Sequence, residues 1–362
     1  VNKRGADLKN PPLLLKPKKE TMKKIYLFLL LIPIVLLAII PPMELNIPMS
    51  SSRIFYWLAL SAGFLGFFTL FLNINKFIKA LTIYLFVSCF FSSAVYYSFA
   101  AYISYIVCLY FYIACLKIDD WKLVKKCLLL LLLLNSFLLV MQLAGLDRLL
   151  NFGVARKDLK WHGCYGTIGN FMCFKSFIFI LLAFLISFYS INFKKYKKYI
   201  WVVCLFLAAM AFAYVVRHNI VSYWSNARGF AWSQTLHLTL YSKMTALFGW
   251  GMNTFGITFN ALAQLPAPRG GVWSEGLWTT PHNDWLHILF TTGFLGLAFV
   301  GAFVVDLFQR LYKAKLYSVF IGAALIAFDM CIQFPLNMTQ TIPLIILFCA
   351  YAEYKLKENK IL

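Results

Sequence analysis

Pro281-His282-Asn283-Asp284-Trp285-Leu286, followed by Gly293-Phe294-Leu295-Gly296, is the stretch on which the reading of this chain turns. It closes the longest polar segment of the protein and leads into an apolar run over 286–308. A histidine beside an amide and a carboxylate therefore stands where a water-facing loop becomes a helix long enough to enter a bilayer. That position suits acid/base chemistry on a substrate held at a membrane surface.

The rest of the chain fits a membrane setting. It is 62% hydrophobic and 13% charged, and several runs approach the roughly 20 apolar residues needed to cross a bilayer. The pattern predicts an all-α polytopic membrane protein with about ten transmembrane helices. They fall near 25–40, 54–72, 77–96, 98–116, 127–145, 170–191, 199–216, 286–308, 316–334 and 341–354. A long, partly helical outer-face loop precedes the eighth. The first span is expected to act as an anchor, because no small-residue cleavage pattern follows it. The organisation predicted is a basic cytoplasmic tail over 1–24 and seven spans over 25–216, with an outer loop at 146–169. A large outer loop over 217–285 follows, then three spans and a second tail over 286–362. The division between 77 and 116 rests on a weak polar break around Ser92-Ser93 and Tyr96–Ser98.

Charge bears on that division. The net charge is +21, which in a soluble chain would point to nucleic acid. With ten spans, 24 of the 34 Lys and Arg fall on one face, in the tail and the segments 73–79, 117–126, 192–199, 309–315 and 355–362. The opposite face has two much longer loops but only nine, and Lys175 lies within a span. This is the positive-inside distribution, and it excludes nucleic-acid binding as the reason for the charge.

Loops as long as the two on the outer face are usually functional. They carry Arg148, Arg156, Lys157, Lys160, Arg217, Arg228, Lys243 and Arg269 among aromatic residues. A cationic, aromatic surface of this kind suits an anionic ligand such as a phosphate or diphosphate. Residues 226–248 read as one amphipathic helix lying along the membrane surface. Thr280-Pro281 reads as a helix start, Thr as N-cap and Pro at the first position. His282 would then lie in the first helical turn, where the positive end of the helix dipole favours a neutral ring able to act as a base. His287, five residues on, falls about 140° round a helix, so the two histidines present no common metal face. No metal or cofactor is expected. Lys175 and Asp329 are ionisable groups inside spans and are expected to pair or to line a substrate cavity.

Residues 226–297 resemble the O-antigen ligase and O-antigen polymerase family of bacterial envelope glycosyltransferases. The likeness is carried by Ala227-Arg228-Gly229-Phe230-Ala231-Trp232, by Leu247-Phe248-Gly249-Trp250-Gly251-Met252-Asn253-Thr254-Phe255, and by the His-Asn pair with its following Gly-x-x-Gly. A further block, His162–Asn170, is similar to the family's entry to an earlier span. The resemblance implies a metal-independent transferase at the periplasmic face of the bacterial inner membrane, with both termini cytoplasmic. Its donor would be an undecaprenyl-diphosphate-linked glycan. The acceptor would be a hydroxyl on a lipid A core, a protein or a growing polysaccharide. His282 would be the general base and Arg228 the contact to the diphosphate. Where the family places an arginine in the first outer loop, this chain has Lys160, with Arg156 nearby. The remaining substrate-binding candidates are Arg217, Asn283 and Lys175.

Among outer-face groups able to take a proton (His282, Glu275, Asp284, Asp158 and Glu44), His282 has the pKa best matched to the task. The competing reading is a polytopic lipid or polysaccharide transporter or flippase, which should show internal repeats and broken helices. The sequence displays neither.

Overall fold

A computed structural model describes Leu27, Leu31 and residues 74–143, 171–189, 227–263, 278–338 and 340–359. Among the described residues the regular structure is entirely helical: α1 Lys76–Ser88, α2 Val95–Cys115, α3 Trp121–Leu143, α4 Phe171–Ser187, α5 Ala227–Thr239, α6 Lys243–Phe248, α7 Phe255–Leu262, α8 Asp284–Lys313, α9 Tyr317–Ile332 and α10 Ile342–Glu358. Within α2, α3 and α8 lie three segments long and apolar enough to cross a membrane, Val95–Cys115, Trp121–Met141 and Asp284–Lys313. The expected spans near 25–40, 54–72 and 199–216 lie outside the described residues, apart from Leu27 and Leu31.

The weak break in 77–116 is a true reversal. Helix α1 ends in a 3-10 turn, Cys89–Phe91, and Ser92 is extended. The two helices then run antiparallel. Thr82 Oγ1 lies 3.0 Å from the Tyr105 hydroxyl, Phe86 meets Tyr102 at 5.5 Å, and Phe90 meets Phe99 at 5.2 Å. In each pair the residue number falls on one helix as it rises on the other, which a single kinked helix cannot do.

The hairpin and the alternating helices put most described cations at one end. Lys76 and Lys79 open α1, Lys117 follows α2, and Lys122, Lys125 and Lys126 open α3. Arg310 and Lys313 close α8, Lys315 follows it, and Lys355 and Lys357 close α10. The motif segment lies at the opposite end, where α1 and α2 join and α8 begins.

In lipid, helix association rests on van der Waals packing and interhelical polar bonds rather than on escape from water. The main core follows that rule. Phe111, Phe177, Phe184 and Phe348 are completely enclosed or nearly so, with Ala183, Ala350 and Ala352 admitting close approach. A polar clamp adds to it near the basic end. Arg310 makes a two-pronged pair with Glu353, at 2.8 and 2.6 Å, and its Nε reaches Asp306 at 2.9 Å.

Two expectations need correction. Residues 226–248 do not form one helix; α5 and α6 are separated at Leu240–Ser242, where Ser242 and Thr245 form a reciprocal capping box. Nor does α5 simply lie along a surface: Ala231 and Leu238 are buried in a small core with Phe255, Phe259 and Phe290. Second, a broken helix is present. Helix α8 is interrupted at Gly293, whose φ of 67° and ψ of −173° lie outside the helical region.

Candidate active site

The break at Gly293 falls inside the apolar run, where backbone groups left unbonded are costly. The helix carbonyls it releases are taken up by other parts of the protein. Trp250 N donates to Phe290 O at 2.9 Å and Gly251 N to Thr291 O at 3.0 Å. The Tyr84 hydroxyl donates to Thr292 O. The Gly-x-Gly turn thus serves as the cap of a discontinuous helix. Only glycine fits at the contact: a Cβ on Gly249 would lie 2.4 Å from the Thr291 carbonyl carbon, and one on Gly293 would lie 2.3 Å from Leu247 O. The hairpin tip locks the turn from the other side, Ser93 N donating to Trp250 O at 2.9 Å and Ser98 Oγ to Met252 O at 3.0 Å.

His282 lies at the start of the same helix, eleven residues before Gly293, and its position differs from the sequence expectation. The N-cap of α8 is Asn283, not Thr280; its side-chain oxygen accepts from Leu286 N at 3.0 Å. His282 precedes the helix and has a φ of 53°, a left-handed conformation uncommon for a side-chain-bearing residue. Strain of this kind gathers at functional sites, where the surroundings hold it in place. The helix starts three residues late because Asn283 is the better cap and because long-range bonds fix the turn before it.

Three sets of such bonds frame the histidine. Trp232 Nε1, on α5, donates to Pro281 O at 2.8 Å. Trp278 is held by a reciprocal pair with Asn260 of α7, its N–H donating at 3.0 Å and its carbonyl accepting at 2.9 Å. Asp284 is 1% exposed and accepts from Leu336 N at 2.7 Å and from Asn337 Nδ2 at 2.8 Å. That last clamp fixes the 3-10 turn Pro335–Asn337 and, just before it, Phe334. The imidazole of His282 sits edge-on between Trp278, at 6.1 Å, and Phe334, at 4.7 Å, with its Nδ1 buried.

Asp284 is therefore committed to structure, which removes it from the candidate bases. The same Asn337 amide lies 2.8 Å from His287 Nδ1. With one N–H on Asp284 and the other on His287, that ring nitrogen is an acceptor. The His287 ring meets Phe255 edge-on at 5.5 Å. Asn283, named above as a substrate contact, has its amide engaged by the cap and by Cys331 O, to which it donates at 2.8 Å.

The remaining candidates are placed unevenly. Arg228 lies in the first turn of α5, one helical turn upstream of Trp232. Lys175 is exposed near the start of α4, and the neighbouring Ser176 donates to the buried carboxylate of Asp329 on α9. Arg156, Lys160 and Arg217 lie outside the described residues, as do Glu44, Asp158 and Glu275. The framing residues Asn260, Trp278, Phe334 and Asn337 were not singled out by sequence. The one visible signal was Pro335-Leu336-Asn337, a polar break between two apolar runs. Compared with protein-family models, curated proteins and solved structures, the chain matches none.

Proposed function

We propose that this chain is a membrane glycosyltransferase of the O-antigen ligase/polymerase type. It moves a glycan from undecaprenyl diphosphate to an acceptor hydroxyl, on a lipid A core or a growing polysaccharide, at the periplasmic face of the inner membrane. The observation that supports this reading is the convergence of the three sequence blocks. Trp232 of the first block bonds the backbone of Pro281 in the third, and the Gly-x-Gly turn of the second caps the helix that the third begins. Both upstream blocks are thereby tied to the segment that carries His282 and to the helix that follows it.

In the proposed reaction His282 takes the proton of the acceptor hydroxyl. With Nδ1 buried, Nε2 is the atom assigned to that proton. The acceptor oxygen bonds to the anomeric carbon while the carbon–oxygen bond to the diphosphate breaks, and undecaprenyl diphosphate departs with the electron pair. Arg228 balances the charge on the leaving group. Trp278 and Phe334 keep the ring in place, so positioning rather than covalent catalysis carries the rate.

The test is His282→Ala expressed in a matched deletion strain. The expected result is loss of polymeric surface glycan with unchanged protein level and membrane insertion. A full glycan ladder would overturn the reading. In the deletion strain itself, a single repeat left on the core marks a polymerase, and polymer left on undecaprenyl diphosphate marks a ligase. The break at Gly293 is the feature that favours a transporter or flippase instead. On that reading His282→Ala leaves export intact.

A further inference from the structure

At the end of the bundle opposite His282, the start of α1 and the ends of α2, α8 and α10 enclose a half-open cavity of about 610 Å³. One wall is apolar, formed by Ile74 and Leu116. The floor is a preformed polar network. Asn75 donates to Asp306 at 2.9 Å, Arg310 Nε donates to the same carboxylate oxygen at 2.9 Å, and Arg310 grips Glu353 with both terminal nitrogens. Asp306 Oδ2 and both Glu353 oxygens are thus taken by protein donors. Arg310 uses three of the five N–H groups a guanidinium carries, so two remain for a ligand.

Two exposed lysines line the same cavity, Lys76 and Lys357. Among the described ion pairs neither meets a carboxylate; the Lys76 ammonium rests over the Phe77 ring at 5.1 Å. The cavity therefore combines an excess of positive charge, spare guanidinium donors and an apolar wall, at the end of the molecule where the other basic helix ends gather. Basic pockets between helices at a membrane surface take anionic headgroups. We infer that this cavity binds a phosphate group, presented by an anionic phospholipid or free in solution, with Lys76 and Lys357 supplying charge and Arg310 supplying direction. The site is separate from His282 and does not depend on what the histidine does.

The probes are phosphatidylglycerol, phosphatidylcholine and inorganic phosphate, added to the purified full chain in detergent. Lipid adducts are read by native mass spectrometry and phosphate by its effect on melting. Lys76→Gln with Lys357→Gln removes both exposed cations of the cavity and should weaken phosphatidylglycerol about tenfold or more while leaving phosphatidylcholine unchanged. That result supports the lipid form. Stabilisation by inorganic phosphate that disappears in the same double variant supports the free form. Lys122→Gln with Lys126→Gln, exposed at the same end but away from the cavity, is the control and keeps the wild-type response. The inference is overturned if the two lipids bind alike and phosphate has no effect. It is also overturned if the control pair weakens binding as much as the cavity pair, because diffuse surface charge then explains it. Both double variants alter exposed side chains only and should melt with the wild type.

Discussion

Replacing Gly293 by alanine tests the joint between α8 and the Gly-x-Gly turn. The residue has a φ of 67° and a ψ of −173°, a region essentially reserved to glycine, and holding alanine there costs roughly 1–3 kcal/mol. The added Cβ would also lie 2.3 Å from Leu247 O, 2.4 Å from Leu247 C and 2.6 Å from Phe248 N. All three are backbone atoms, so relief requires moving α6 rather than rotating a side chain, an overpacking cost of about 1–3 kcal/mol. Together these predict destabilisation of about 4 kcal/mol. With an unfolding entropy near 2.1 cal/mol/K per residue, that is a fall in Tm of about 5 °C for a chain of 362 residues. Gly301 is the internal control, because it lies in the same helix and a Cβ there meets nothing within 4 Å. Gly301→Ala should raise stability by roughly 0.5–1 kcal/mol through helix propensity. Melting of the three proteins in one detergent, followed by tryptophan fluorescence, separates the cases. If Gly293→Ala melts with Gly301→Ala at or above the wild type, the interlocked break does not exist as described. Gly249→Ala should resemble Gly293→Ala, and the double variant should cost less than the sum, since both disturb one contact.

Other consequences follow from the framing of His282. Asp284→Ala strips partners from Leu336 N and Asn337 and should lower stability by about 2–4 kcal/mol, read by the same melting curve; an unchanged curve would mean that the clamp is dispensable. Trp232→Phe keeps an aromatic side chain, though a smaller one, and loses the bond to Pro281 O, so it should cost about 1–2 kcal/mol in stability while reducing surface glycan; glycan at wild-type level would remove Trp232 from the positioning set. The proposed orientation predicts that a cysteine at the exposed Thr279 is labelled by an impermeant maleimide in spheroplasts, above the background of native cysteines, whereas one at the exposed Lys117 is not. Labelling in the reverse order would invert the topology.

What could be read in the chain, and what could not, divides along the range of the interactions. The apolar runs gave helices α1–α4 and α8–α10 nearly at their observed places, because length and hydropathy are local properties. The reversal between α1 and α2 was also local, written in Ser92-Ser93. The cap of α8 was not. Thr280-Pro281 and Asn283 are both credible starts, and the choice turns on His282 adopting a left-handed backbone held by Trp232, Trp278 and the Asp284 clamp. Those partners lie far away in sequence; Leu336 and Asn337 come more than fifty residues after Asp284. Gly249 and Gly293 were visible as members of two separate motifs, yet that each fits against the backbone beside the other follows only from the tertiary contact.

The broken helix also bears on which of the two functions is the better reading. Where transporters unwind a membrane helix, the exposed carbonyls and helix ends are the ligands of the transported ion or substrate. Here the carbonyls of Phe290, Thr291 and Thr292 are occupied by Trp250, Gly251 and Tyr84. Thr291 and Thr292 turn their own hydroxyls back onto the carbonyls of His287 and Ile288, each at 2.7 Å. A break whose acceptors are already filled offers little to a passing solute, and opening it would expose backbone groups at membrane depth. Its mechanical effect is instead to fix α8 at Phe290–Gly293 against α6 and the Gly-x-Gly turn that the hairpin tip locks. A general base needs a rigid mounting of this sort, while an alternating-access gate needs the opposite. The filled acceptors at the break thus weigh against the transporter reading, which the presence of a break would by itself favour.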